Sequence, residues 1–214
     1  MHVRSLARRT LVLGAVAGVA SAPRLAAAAI APPTPAQTEG PFYPVRLPDD
    51  RDADLVRVTG SDAQALGVVT HVIGRVLAPG GEPLLGVLVE IWQCDAHGRY
   101  RHPRERGTAA LDVGFQGYGQ TLTDASGAYR FRTIRPVAYP GRTPHIHFKL
   151  GTAAGELLTT QMYVAGEPGN ERDGLLNAIR DPELRRRLLV ELRAADAIEH
   201  GALAGTFDII VDAG

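Results

Sequence analysis

The stretch Tyr139-Pro140-Gly141-Arg142-Thr143-Pro144-His145-Ile146-His147-Phe148 constrains this chain more than any other. Side chains alternate across a β-strand, so His145 and His147 share one face while Ile146, Phe148 and Leu150 share the other. The apolar face calls for a core beneath it. The opposite face then carries two imidazoles about 7 Å apart, close enough to converge on one metal ion. Tyr139 lies just upstream, beyond a Pro/Gly turn able to fold it back toward them. The same pattern equally fits two polar residues on the wet side of a half-exposed strand. A bare His-x-His does not separate the two readings.

Composition narrows the setting. A chain of 214 residues, 45% hydrophobic, can bury one substantial core, which makes a single domain the default. Its 23 basic and 23 acidic residues cancel, and no basic patch points to nucleic acid. The 15 Pro and 24 Gly punctuate short apolar runs, as in a turn-rich β-protein. Cys94 is alone and forms no internal disulfide.

Residues 1–30 read as an export signal: Arg4, Arg8 and Arg9 precede an apolar run too short to span a bilayer, and Arg8-Arg9 resembles a twin-arginine motif. The expected location is therefore periplasmic or secreted, with no stable membrane anchor. Residues 31–66 form an N-terminal arm and loop: a Pro-rich tether, then Thr38-Glu39-Gly40-Pro41-Phe42-Tyr43-Pro44 pinned over the rim of a site, then a charged surface loop over residues 49–64. Residues 67–214 hold the main domain. Strands are expected over residues 68–77, 87–94, 129–134, 145–150, 157–164 and 206–211, with a hairpin turning at Asp124-Ala125-Ser126-Gly127 and a long polar loop over residues 101–119. Asp181 followed by Pro182, with Leu184, Leu188, Leu192 and Ala195 recurring on one face, predicts one amphipathic helix near the C-terminus. The fold class is an all-β sandwich with that helical segment appended.

Tyr100, Tyr139, His145 and His147 form the candidate ligand set. A free phenol titrates near pH 10, so tyrosines ligate at neutral pH when a strong Lewis acid displaces their protons. Phenolate is a hard donor, which favours ferric iron over zinc. Each tyrosine also sits where a half-buried aromatic is ordinary. No Cys pair, phosphate-binding Gly loop, Gly-x-Ser-x-Gly or His-Glu-x-x-His competes as a centre.

Glu90-Ile91-Trp92-Gln93, Gly98-Arg99-Tyr100-Arg101-His102, Thr123-Asp124 with Gly127, Tyr129-Arg130-Phe131-Arg132-Thr133-Ile134, Tyr139-Pro140 and Pro144-His145-Ile146-His147-Phe148, in that order, resemble the intradiol ring-cleavage dioxygenases of protocatechuate 3,4-dioxygenase type. Thr38-Glu39-Gly40-Pro41-Phe42-Tyr43 resembles them too, and the likeness covers about residues 37–164. It implies a prealbumin-like β-sandwich with Fe(3+) held by Tyr100, Tyr139, His145 and His147. It implies further that Tyr139 is the ligand a catechol displaces, that Arg142 stabilises negative charge on the ring carbon attacked by O2, and that Gln161 supports the site from behind. The implied products are cis,cis-muconate-type diacids, and the implied assembly is a homo-oligomer. The loop from Tyr139 to His145 is shorter than in protocatechuate enzymes, and an exported enzyme would meet larger plant- or lignin-derived catechols. A non-catalytic prealbumin-like binding module is the competing reading; a zinc hydrolase built on the His pair lacks a third ligand of the usual type.

Overall fold

The computed structural model describes residues 31–212; the export signal read over residues 1–30 lies outside them. The chain lays down β1 (Val69–Leu77), β2 (Leu88–Trp92), β3 (Tyr118–Leu122), β4 (Ala128–Ile134), β5 (His145–Thr152) and β6 (Gly155–Val164). A short 3-10 turn (Pro168–Glu171) and two five-residue helices, α1 (Gly174–Ala178) and α2 (Pro182–Arg186), follow. Four short strands close the fold: β7 (Leu189–Val190), β8 (Arg193–Ala194), β9 (Leu203–Thr206) and β10 (Ile209–Ile210). One sheet runs β3-β2-β5-β6-β7. The other is centred on β1, with β4 antiparallel on one side and β9 and β10 parallel on the other.

The core lies between the sheets, supplied by the apolar halves of alternating strands. Val72 and Val76 of β1 and Phe131 of β4 face Val89 and Ile91 of β2, and Ile146, Phe148 and Leu150 of β5, all of them buried. Phe148 meets Phe207 edge-on at 5.1 Å between ring centres. Each such side chain contributes about 1.5–3 kcal/mol when fully buried. The apolar face expected of the His-x-His strand is thus the face that holds the sandwich together.

Three expectations need correction. Residues 124–127 do form a turn, with Gly127 N–H donating to Asp124 carbonyl at 2.9 Å, but it is no hairpin: β3 pairs with β2 and β4 with β1, so the turn carries the chain from one sheet to the other. The helix expected from Asp181 onward begins as predicted, since Asp181 accepts a hydrogen bond from Glu183 N–H at 2.8 Å and Pro182 opens the first turn. It stops at Arg186. Leu189 and Val190 instead pair parallel with Tyr163 and Val164, because the open edge of β6 offers backbone partners that local helix propensity cannot outweigh. Residues 49–64 are not wholly a surface loop, since Leu55 and Val56 are 0% exposed and backbone bonds to Arg132 on β4 hold the segment in place.

On the far face of the β1 sheet, Arg132 bridges Asp54 and Glu199, whose carboxylate also meets His71 Nε2 at 3.0 Å. Hydrogen bonding to Arg132 holds the Glu199 carboxyl down to about 2. A carboxyl depressed in the folded state stabilises above its unfolded pKa, and the stabilisation fades as pH falls from about 4.5 toward 2. Glu199→Gln is therefore expected to cost about 1–2 kcal/mol at pH 7 and progressively less toward pH 2, as read by urea unfolding across that range.

Candidate metal centre

The polar face of β5 lies on the outside of its sheet, away from the core, and strand register sets what stands beside each histidine. Tyr118, Trp92, His147 and Gln161 are successive cross-strand partners in one row, and His145 pairs with Tyr163. An outer sheet face would ordinarily be wet. Here His145, His147, Trp92 and Gln161 are all buried, because the N-terminal arm and the loops around residues 97–109 and 137–142 close over them. The arm is pinned as expected: Gln37 N–H donates to Thr159 carbonyl at 2.8 Å, Gln161 Nε2 donates to Thr38 carbonyl at 3.0 Å, and Phe42 stacks on Tyr100 at 4.5 Å.

The four residues expected as ligands form one cluster. The Nε2 atoms of His145 and His147 approach to 3.2 Å. Tyr139 lies beside His145, with ring centres 5.4 Å apart, and Tyr100 beside His147 at 6.3 Å; the two phenol rings are 5.6 Å apart. His145 Nδ1 lies 2.6 Å from Thr143 carbonyl oxygen. A carbonyl only accepts, so Nδ1 carries the hydrogen and Nε2 keeps its lone pair.

Burial, then the Arg142 charge, pushes His145 down to about 4, and burial, with the unfavourable proximity of His145 and Arg142, drives His147 well below the usual range. Both imidazoles are neutral at pH 7 and able to ligate. Tyr100 is 4% exposed, its hydroxyl makes no hydrogen bond of regular geometry among the described residues although the Tyr139 side chain lies close enough to act on it, and burial raises it well above the usual phenol value. Burial likewise raises Tyr139, against the lowering effect of Arg142. A buried phenol without a regular hydrogen bond and two neutral nitrogens aimed at one point are what a hard cation of high charge would satisfy.

The loops that present the phenols have visible causes. Asp95 accepts from the N–H groups of His97, Arg99 and Asp112, which fixes the turn leading into Tyr100. The Pro140-Gly141 turn closes with Arg142 N–H donating to Tyr139 carbonyl at 2.9 Å, and Gly141 takes φ +82°, a conformation only glycine adopts cheaply. That turn folds Tyr139 back over the histidines. Cys94 is buried, its thiol pushed up to about 12 by burial, and takes no part as a nucleophile.

Arg142 and Gln161 sit side by side. Arg142 Nη2 donates to Gln161 Oε1 at 2.6 Å and to Tyr163 Oη at 3.2 Å, while its Nε donates to Asp173 Oδ2 at 2.9 Å. Asp173 is the residue that sequence reasoning missed. It is 1% exposed, caps α1 through Leu175 and Leu176 N–H, and accepts from Thr143 N–H. Burial alone would raise its carboxyl; the hydrogen bonds from Leu176 and Arg142 hold it below the usual range. Asp before Gly174-Leu175-Leu176 is a readable cap signal, but nothing in the chain ties it to Arg142. A cavity of about 510 Å³ opens beside the two phenols, lined by Phe42, Tyr100, Tyr139 and Pro140, with Arg99 and Arg104 on the loop side; the histidines, Arg142 and Gln161 do not line it. Among the described residues no third His, Cys, Asp or Glu joins the histidine pair, so a zinc-hydrolase site is not built here.

A β-sandwich that gathers two phenols and two imidazoles beside an open cavity has the form of an enzyme with donors suited to a hard metal ion. A family model described as Dioxygenase matches residues 38–213. The protocatechuate 3,4-dioxygenase beta chain of Burkholderia cepacia is 42% identical over 169 residues, covering 75% of this chain and 71% of that protein. Catechol 1,2-dioxygenase 2 of Acinetobacter lwoffii is 31% identical over 179 residues, covering 72% of this chain and 62% of that protein. Among solved structures, the dioxygenase domain of a dioxygenase carbohydrate-binding protein fusion from Streptomyces sp. SirexAA-E is 37% identical with a TM-score of 0.63, covering 86% of this chain and 100% of that one. The chain belongs to the intradiol ring-cleavage dioxygenases and is an enzyme of that type.

Breaking the Arg142–Asp173 pair leaves a half-buried guanidinium without its counter-charge. Asp173→Asn is expected to lower unfolding free energy by about 3 kcal/mol, measured by urea denaturation at pH 7; a change within experimental scatter would show that the pair does not hold the turn.

Proposed function

We propose that this enzyme cleaves a catechol-type ring between its two hydroxylated carbons, taking up both atoms of O2 to give a cis,cis-muconate-type diacid, with Fe(III) held by Tyr100, Tyr139, His145 and His147. The observation that carries this reading is the meeting of a buried phenol, a half-buried phenol and two neutral imidazoles, with a cavity opening beside the phenols. A ferric ion held by these four residues would supply Lewis acidity toward a catechol.

The chain's own residues divide the remaining work. Both phenols line the cavity, but Tyr139 is half-buried whereas Tyr100 is 4% exposed and stacked under Phe42. Tyr139, the more accessible of the two, is thus the phenol that would take up a proton from an incoming catechol, and Tyr100 the one held fixed. Arg142 supplies a fixed positive charge in a desolvated site, where it stabilises negative charge developing on the ring. Gln161 holds that guanidinium with its oxygen and the arm, through Thr38, with its nitrogen. Phe42 and the arm exclude water from the inner side. A non-catalytic binding module of the same fold leaves this cluster without a role.

The purified, iron-loaded protein is expected to show a visible tyrosinate-to-iron absorption that shifts when catechols are added anaerobically. The band should weaken and shift in Tyr139→Phe and Tyr100→Phe; an iron-replete but colourless protein would refute the assignment. Arg142→Met is expected to lower kcat by about 10²–10³-fold while leaving the anaerobic catechol shift in place, and steady-state oxygen uptake separates the two effects.

A further inference from the structure

The two histidines are held by different means. His145 is fixed in the usual way for a ligating imidazole, its second nitrogen hydrogen-bonded to a backbone carbonyl, here Thr143. His147 Nδ1 is buried and finds no hydrogen-bond partner among the described residues. Its one polar contact is at the other end of the ring, Nε2 to His145 Nε2 at 3.2 Å, and nothing polar holds it from the Nδ1 side. Its flat face instead lies against Trp92, ring centres 4.8 Å apart and planes 9° from parallel. A Cβ on Gly40 of the arm would stand 3.4 Å from His147 Cε1, so the arm backbone closes on the ring there.

Trp92 is itself immobilised from behind. Tyr43 meets it edge-on at 5.0 Å, and the Tyr43 hydroxyl donates at 2.8 Å to the buried Glu90 carboxylate, which also accepts from Tyr118. Lys149 Nζ sits 4.5 Å over the Tyr43 ring and is tied to Glu39 at 2.7 Å. Strand register makes the stack unavoidable, since Trp92 and His147 are direct cross-strand partners on the same face.

We infer that Trp92 is the positioning residue for His147, its indole face doing for this imidazole what the Thr143 carbonyl does for His145. The inference rests on the metal-site reading above. It assigns Trp92 no contact with substrate. Its role is to keep the His147 Nε2 lone pair aimed at the point where the other donors converge, and any flat aromatic at position 92 does this better than an aliphatic side chain of similar bulk.

The test compares Trp92→Leu and Trp92→Phe with the wild type. Trp92→Leu is expected to lose iron to a chelator about 10–100-fold faster, with Trp92→Phe closer to wild type than to the leucine variant. In the metal-free protein, the His147 ring signals in NMR should broaden or shift in Trp92→Leu while those of His145 stay in place. If Trp92→Leu does not fold, Trp92→Met, which has no ring, takes its place. Leucine and phenylalanine variants that fail equally, or a leucine variant indistinguishable from wild type in both measurements, would overturn the inference. A wild type that binds no iron would instead refute the functional reading, because the ring-signal comparison is made without metal.

Discussion

His145, His147 and Tyr100 have been taken out of water over the outer face of a sheet, with Tyr139 half-covered beside them, and the rest of the structure depends on keeping them there. Tyr100 Oη and His147 Nδ1 make no hydrogen bond of regular geometry among the described residues, and a buried polar atom left so costs about 1–3 kcal/mol. The same desolvation determines the chemistry. It keeps both imidazoles neutral and both phenols protonated in the absence of a cation. The cluster is consequently stable as a fold only because other elements hold it, and reactive only toward a group able to displace phenolic protons.

The sandwich supplies that support through one strand with two faces. Ile146, Phe148 and Leu150 anchor β5 in the core, so His145 and His147 inherit the rigidity of the best-packed part of the molecule. Cross-strand register then brings Trp92 and Gln161 to either side of His147. Covering segments complete the enclosure: the arm is stitched to β6 through Gln37 and Thr38, and Asp173 locks the Arg142 turn to α1. Site and core are thus two sides of the same sheet, and the loops add the ligands that the strands cannot reach.

Much of this was legible in the residues. Alternation exposed the two-faced strand, Pro/Gly punctuation placed the turn that carries Tyr139, and two aromatics among prolines marked an arm pinned over the rim of a site. The helix after Asp181 was not legible beyond its first turn. Its cap and its leucine spacing were genuine, yet Leu188 and Val190 are buried as part of a strand edge on β6, which a local pattern cannot reveal. The Asp124 turn was equally clear as a turn, but the same four residues can close a hairpin or pass between sheets. Only the partners of β3 and β4 distinguish the two.

The amino-acid sequence by itself determined the all-β class, the polar and apolar faces of β5 and the four side chains with the right donors, because period-two alternation and turn chemistry are local properties of the chain. The tertiary structure alone decided that the outer face would be dry, that Asp173 would hold Arg142 from 31 residues away, and that Trp92 would lie flat on His147. Those facts depend on which strands pair and which loops fold back, and burial by distant segments leaves no periodicity in the residues it covers.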